Sequence, residues 1–279
     1  MTTQIADALV IVLPRGETLK GWLRRGLLER EWSVHEELAP HFGRIVVVSE
    51  GDDGERHVGS TLTPMPVVVS NEEGAPRDSF SAEIPSRVLA ALQGVKSALV
   101  KTIQLPGAVV AVRIARALRE QGIRTGLVVR GEYLCSRFLA YEHGQSADAV
   151  LEAAAEEGEA CRAADVVVGT SRAMVGDLSW RSGLTMDRMA LIPNHVLATE
   201  MPALPEERAS NEVLFAGPLV KRKRVDILVD ALAQLPDDVR AKTYLTVLGD
   251  GPERGALEAR AKEQGVDVRF EGWVKHRRV

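Results

Sequence analysis

The chain has 279 residues, is 45% apolar and carries a formal net charge of -4, so it can bury one large core or two modest ones and has no overall bias toward nucleic acid or a membrane. It has no apolar span of about 20 residues and no basic stretch leading into an apolar one at the N-terminus. Cys135 and Cys161 lack zinc-type spacing, so a cytoplasmic protein with reduced thiols and without structural disulfides is expected.

From the N-terminus, short Val-rich runs at 8–13, 44–49, 66–70, 98–101, 125–130, 165–169 and 189–193 are read as strands. Longer amphipathic stretches lie between several of them. The first, 18–38, carries Trp22, Leu23, Leu27, Leu28 and Trp32. The second, 106–121, opens on Pro106 and stops before Gly122, the usual asymmetry of a helix. The third, 142–163, is rich in Ala and Glu, and the fourth, 171–183, opens on a capping serine and closes on a glycine. Strands alternating with helices predict a parallel sheet covered on both faces, a Rossmann-like domain over 1–196.

Ligands collect at the C-terminal ends of strands in such sheets. Gly16 follows the first strand, and Arg130, Glu132 and Tyr133 follow the fifth. Gly16 is a candidate for close approach to a phosphate or an acceptor, against the plainer reading of an ordinary turn.

Between 197 and 211 the periodicity lapses and two prolines appear, which predicts a linker. The alternation then resumes: strand 212–216, helix 222–235, strand 243–248, helix 252–264 and strand 267–271. Three strands and two helices make a small core, so 212–279 is expected to be a partial second domain.

Two segments of this second domain carry the chemistry. In the first, a strand ends at Gly217 and the run Lys221-Arg222-Lys223-Arg224 follows where a helix should start. Four cations at a helix N-terminus repel its partial positive charge unless an anion compensates, and backbone N–H groups beside Lys or Arg suit a phosphate. The plainer reading is a solvated basic face. In the second segment, Gly249-Asp250-Gly251-Pro252-Glu253 joins a strand to a helix, and glycines there permit positive φ and close backbone approach. A dinucleotide fingerprint is the rival reading. Gly249 and Gly251 follow a strand and Glu271 lies about twenty residues on, but the third glycine, Gly255, falls one position late.

Taken together, Gly217-x-Leu219, the basic loop, Asp226 and Ala231, then Gly-Asp-Gly-Pro-Glu, then Val268-Arg-Phe-Glu271-Gly272-Trp273 resemble the second domain of glycosyltransferase family four. Ala164-Asp-Val-Val-Val-Gly-Thr-Ser171 and Leu191-Ile-Pro-Asn194 are similar to the end of that family's first domain. The resemblance covers roughly residues 160–279. It implies a GT-B fold, α/β with two Rossmann-like parallel-sheet domains, the second incomplete here. It also implies an enzyme that transfers sugar from a UDP- or GDP-sugar, retaining and without a metal or other cofactor, to a carbohydrate or lipid-linked acceptor. By position Lys223 matches the family's lysine; Arg222, which like Lys221 stands off the matching position of the family's arginine, is the second catalytic candidate, with Gly217, Lys223, Gly249, Gly251, Glu271 and Trp273 on the donor. Gly16, Arg130, Glu132 and Asn194 lie on the acceptor or phosphate side.

The sequence departs from the family at Pro218, where an arginine is usual, and the family's downstream pair of glutamates would fall beyond Val279. A non-catalytic relative that binds a nucleotide sugar or a partner is therefore the second reading. Some family members touch the inner face of the membrane. Arg24, Arg25, Trp22 and Leu28 are the residues for such a contact, unless Trp22 and Leu28 pack in the core.

Overall fold

The computed structural model describes residues 3–141, 145–194 and 211–274, and the chain divides into two compact units, Met1–Val196 and Leu197–Val279. The expected linker at 197–211 lies outside the described residues except for Asn211.

The first unit is built on seven parallel strands: β1 Ala6–Val12, β2 Phe42–Val48, β3 Val67–Val69, β4 Ser97–Thr102, β5 Arg124–Gly131, β6 Val166–Gly169 and β7 Met189–Leu191, in the order β3-β2-β1-β4-β5-β6-β7. Side chains alternate across the sheet. Leu9 and Ile11 face a core closed by α1 (Leu19–Arg24), α2 (Leu28–Leu38) and α3 (Gly54–Gly59). Ala8, Val10 and Val12 face the other core, beneath α4 (Arg77–Ala91), α5 (Ala108–Glu120), α7 (Ala147–Ala163) and α8 (Arg172–Ser182). The short α6 spans Cys135–Tyr141. Burial on both faces is why β1 is apolar at every position from Ala8 to Val12.

Two buried carboxylates organise helix starts. Glu55, fully buried, accepts from the backbone N–H groups of Leu19 (2.7 Å) and Lys20 (3.1 Å) and from Ser49 Oγ (2.7 Å). It thereby satisfies the first turn of α1 with negative charge, where a helix favours it. Glu157 serves α6 in the same way through Ser136 N (3.2 Å) and Ser136 Oγ (2.7 Å).

The expected single helix over 18–38 is two helices. Gly26, at φ +67°, ends the first turns, and Leu28 restarts them. Trp22 (4% exposed) and Leu28 (6%) lie in the core, while Arg25 pairs with Glu17. The apolar half of the expected membrane contact is therefore spent on packing. Among the described residues no helix is long and apolar enough to cross a membrane.

The second unit has three parallel strands in the order β10-β9-β8: β8 Glu212–Ala216, β9 Tyr244–Leu248 and β10 Val268–Gly272. Its helices are α9 (Val225–Ala233), α10 (Asp237–Arg240) and α11 (Arg254–Glu263). Val225, Val229, Leu232, Leu257 and Ala261 cover Leu245 and Val247. Arg260 ties α11 to α9 by a two-pronged bond to Asp230 (2.6 and 2.5 Å), which holds that carboxyl at about 2.

Candidate functional site

In the second unit the ends of β8 and β9 lean on each other through bare backbone. A Cβ on Gly249 would lie 1.9 Å from the Gly217 carbonyl oxygen, and one on Gly251 would lie 2.4 Å from that of Leu219. Gly249 sits at φ +149° and Gly217 at +152°, a region that favours glycine. Gly217 N donates to Leu248 O (2.9 Å), Leu219 N to Asp250 O (3.0 Å) and Glu253 N to Leu219 O (3.1 Å). Leu219, fully buried, pins the loop from beneath. Glu271 is exposed near the end of β10 and Trp273 is 59% exposed just beyond it. Gly249 N donates to Gly272 O, between those two residues (2.7 Å).

On this frame stands the basic turn. The helix expected from residue 222 begins at Val225 instead, and Lys221–Lys223 form a separate 3-10 turn. The physical reason is the dipole: the first turn of α9 holds Asp226 and excludes the lysines. Lys221 and Lys223 are exposed and make no ion pair with a described residue. Arg222 shares the turn and is engaged in a contact of its own.

Arg224 joins turn to helix in a left-handed conformation (φ +50°, ψ +43°), and among the described residues no other non-glycine has positive φ. That geometry costs a residue with a Cβ about 1–2 kcal/mol. Its guanidinium grips Asp226 through Nε (3.0 Å) and Nη2 (2.9 Å), and this bond lowers the Asp226 pKa.

In the first unit, three of the sequence candidates come together. Arg130 Nη2 donates to Asn194 Oδ1 (2.6 Å) and Nη1 pairs with Glu132 Oε1 (3.2 Å). Gln104 Nε2 donates to Glu132 Oε2 (3.1 Å), and Arg130 N donates to Thr102 Oγ1 (2.9 Å). The fourth candidate, Gly16, needs its positive φ (+79°), and its N–H is taken by Glu50 (3.1 Å), which also holds Arg77 (3.0 Å). Beside it opens a cavity of about 240 Å³ over the ends of β1 and β2 and the start of α5, lined among others by Arg15, Arg77, Arg113, Asp78 and Glu156. The chain leaves β1 toward one face of the sheet and β4 toward the other, a crossover where such folds place ligands.

Sequence reasoning missed Lys101. Its ammonium donates to His35 Nε2 (3.1 Å), while His35 Nδ1 faces the Glu31 carbonyl (3.1 Å). Burial, aided by the nearby Arg130 charge, lowers Lys101 to about 8. A lone lysine in an apolar strand was the available signal.

Comparison with known proteins gives a consistent picture. Residues 198–279 match the family described as Glycosyl transferases group 1. The lipopolysaccharide core biosynthesis glycosyltransferase LpsE of Rhizobium meliloti (strain 1021) is 34% identical over 101 residues, 36% of this chain and 28% of that protein. A D-inositol 3-phosphate glycosyltransferase of Xylanimonas cellulosilytica is 32% identical over 129 residues, 39% of this chain and 30% of that protein. The matched part is thus less than a third of either relative.

Among solved structures, the lipopolysaccharide outer core galactosyltransferase WaaB superposes with a TM-score of 0.63 at 15% identity, covering 96% of this chain and 68% of that one. WaaG, a glycosyltransferase involved in lipopolysaccharide biosynthesis, gives 0.56 at 16% identity, covering 96% and 70%. These likenesses give the fold: two parallel α/β units of GT-B type.

Proposed function

We propose that this chain, whose C-terminal segment belongs to the group 1 glycosyl transferases, moves a sugar from a nucleotide-sugar donor to a carbohydrate or lipid-linked acceptor, with retention and without a metal ion. The observation that carries the reading is the turn Lys221–Lys223, whose two lysines stand exposed on a rigid frame of glycines at the strand ends. Breaking the bond between sugar and diphosphate builds negative charge on the leaving oxygens, and a fixed cation stabilises that charge as it grows. Lys223, with Arg222 beside it, is the residue for this role; Gly217, Gly249, Gly251, Glu271 and Trp273 surround the donor. The cluster of Arg130, Glu132 and Asn194, with Gly16 and its neighbouring cavity, serves the acceptor or phosphate side.

A dinucleotide-dependent oxidoreductase fits less well. The third glycine of that fingerprint lets a helix approach its strand closely, yet a Cβ on Gly255 would meet nothing within 4 Å.

The test is calorimetric titration with UDP and GDP. Lys223→Ala removes a charge-assisted contact of about 1.5–3 kcal/mol, so nucleotide affinity falls about tenfold to a hundredfold. Lys221→Ala has a smaller effect that salt erases. Equal losses for both variants, vanishing at high salt, would reduce the turn to a general anion patch. Nucleotide binding without sugar transfer to any acceptor would favour the non-catalytic reading.

A further inference from the structure

Arg224 occupies a backbone conformation that glycine would adopt without strain, directly after the lysines of the basic turn. Such strain persists where surrounding structure over-determines it, and it clusters at functional sites. What the arginine gains is a grip on Asp226, with three contacts between 2.9 and 3.2 Å. The carboxylate itself is useful to the fold, because it supplies the negative charge in the first turn of α9. For an anion held at Lys223, the same charge is a nearby repulsion. One turn along α9, Asp230 is neutralised in parallel by Arg260 and accepts a further hydrogen bond from Gln264.

We infer that Arg224 is a positioning residue for phosphate binding: its guanidinium neutralises Asp226, letting α9 keep its acidic first turn without opposing an anion at Lys223. The inference rests on the donor-site reading, and it adds a residue that acts through Asp226 without touching the nucleotide. The arginine side chain, not its backbone conformation, is what the site requires.

The experiment is a double-mutant cycle on the full chain, read by UDP titration at low and high salt. Arg224→Gly keeps the left-handed backbone and removes the guanidinium. Affinity for UDP falls about threefold at low salt, as for one unit charge released several ångströms from the anion in a largely aqueous setting. The loss shrinks at high salt. Adding Asp226→Asn to Arg224→Gly restores affinity, because the repelling charge is gone; Asp226→Asn alone leaves affinity unchanged or raises it. A residue that only shaped the turn would give no such rescue. Full UDP affinity in Arg224→Gly, or failure of Asp226→Asn to rescue it, overturns the inference. Lys223→Ala in the same series separates the two ideas. Loss there with none in Arg224→Gly overturns this inference and leaves the donor reading standing, whereas loss in neither overturns both.

Discussion

The two units solve the same packing problem with different means. In the first, β1 is buried on both faces and polar groups are buried with it: Glu55 under the start of α1, Glu157 under α6, and His35, which meets the half-buried Lys101. In the second, β8 alternates, with Glu212, Leu214 and Ala216 exposed on one face and Val213 and Phe215 turned toward the helices. Its charged pairs lie at the surface: Arg224 with Asp226, Arg254 with Glu258, and Arg260 with Asp230. Surface pairs contribute little to stability and yield to salt, whereas buried groups couple stability to proton binding. The first unit is thus built to hold its shape, and the second presents charge.

The largest effect that would sharpen this contrast comes from the first core. Leu118, fully buried beneath the sheet, replaced by Ala should cost about 2–5 kcal/mol. Urea unfolding followed through the buried Trp22 and Trp32 would measure it, and a loss under 1 kcal/mol would mean a loosely packed core.

Next comes Lys101. Its pKa is about 8 in the fold against an ordinary 10.5, so the folded chain holds fewer protons between those values than the unfolded one. Stability must therefore rise with pH across that window. Relative to Lys101→Met, the parent should gain up to about 3 kcal/mol between pH 8 and 10.5. Parallel pH profiles for the two proteins would show that Lys101 is not withdrawn from water in solution as it is in the fold.

The smallest effect belongs to the second unit. Leu214, 53% exposed, replaced by Ser should change stability by no more than about 0.5 kcal/mol. A loss comparable to that of Leu118→Ala would break the comparison, because that face would then have to be covered.

Much of the fold was legible in the sequence. Glu212–Ala216 was placed to the residue, and the seven strands of the first sheet to within about two residues, because Val-rich runs bounded by turn residues have few other readings. Helix α4 was missed although Phe80, Ile84 and Val88 share one buried face at four-residue spacing; Pro85 inside the helix masked the period. The break at Gly26 was missed because the apolar spacing runs through it.

At the site, Gly217, Gly249 and Gly251 were identified from strand-to-helix turns. Their mutual contact was not, since no sequence pattern shows which carbonyl will face which glycine. Arg130, Glu132 and Asn194 were singled out separately, and only the sheet brings residue 130 within reach of residue 194. Lys101 and His35 were invisible as a pair for the same reason.

The meeting of Gly249 with Gly217 and of Gly251 with Leu219 has a consequence for redesign. Where backbone touches backbone, evolution has no side chain to vary, so these positions act as a chassis. The exposed turn Lys221–Lys223 projects from that chassis through side chains alone. A combinatorial library should therefore leave the glycines and Lys223 untouched and randomise the other exposed positions of the turn. Most of its members would inherit a folded scaffold, and selection would sort them by chemistry.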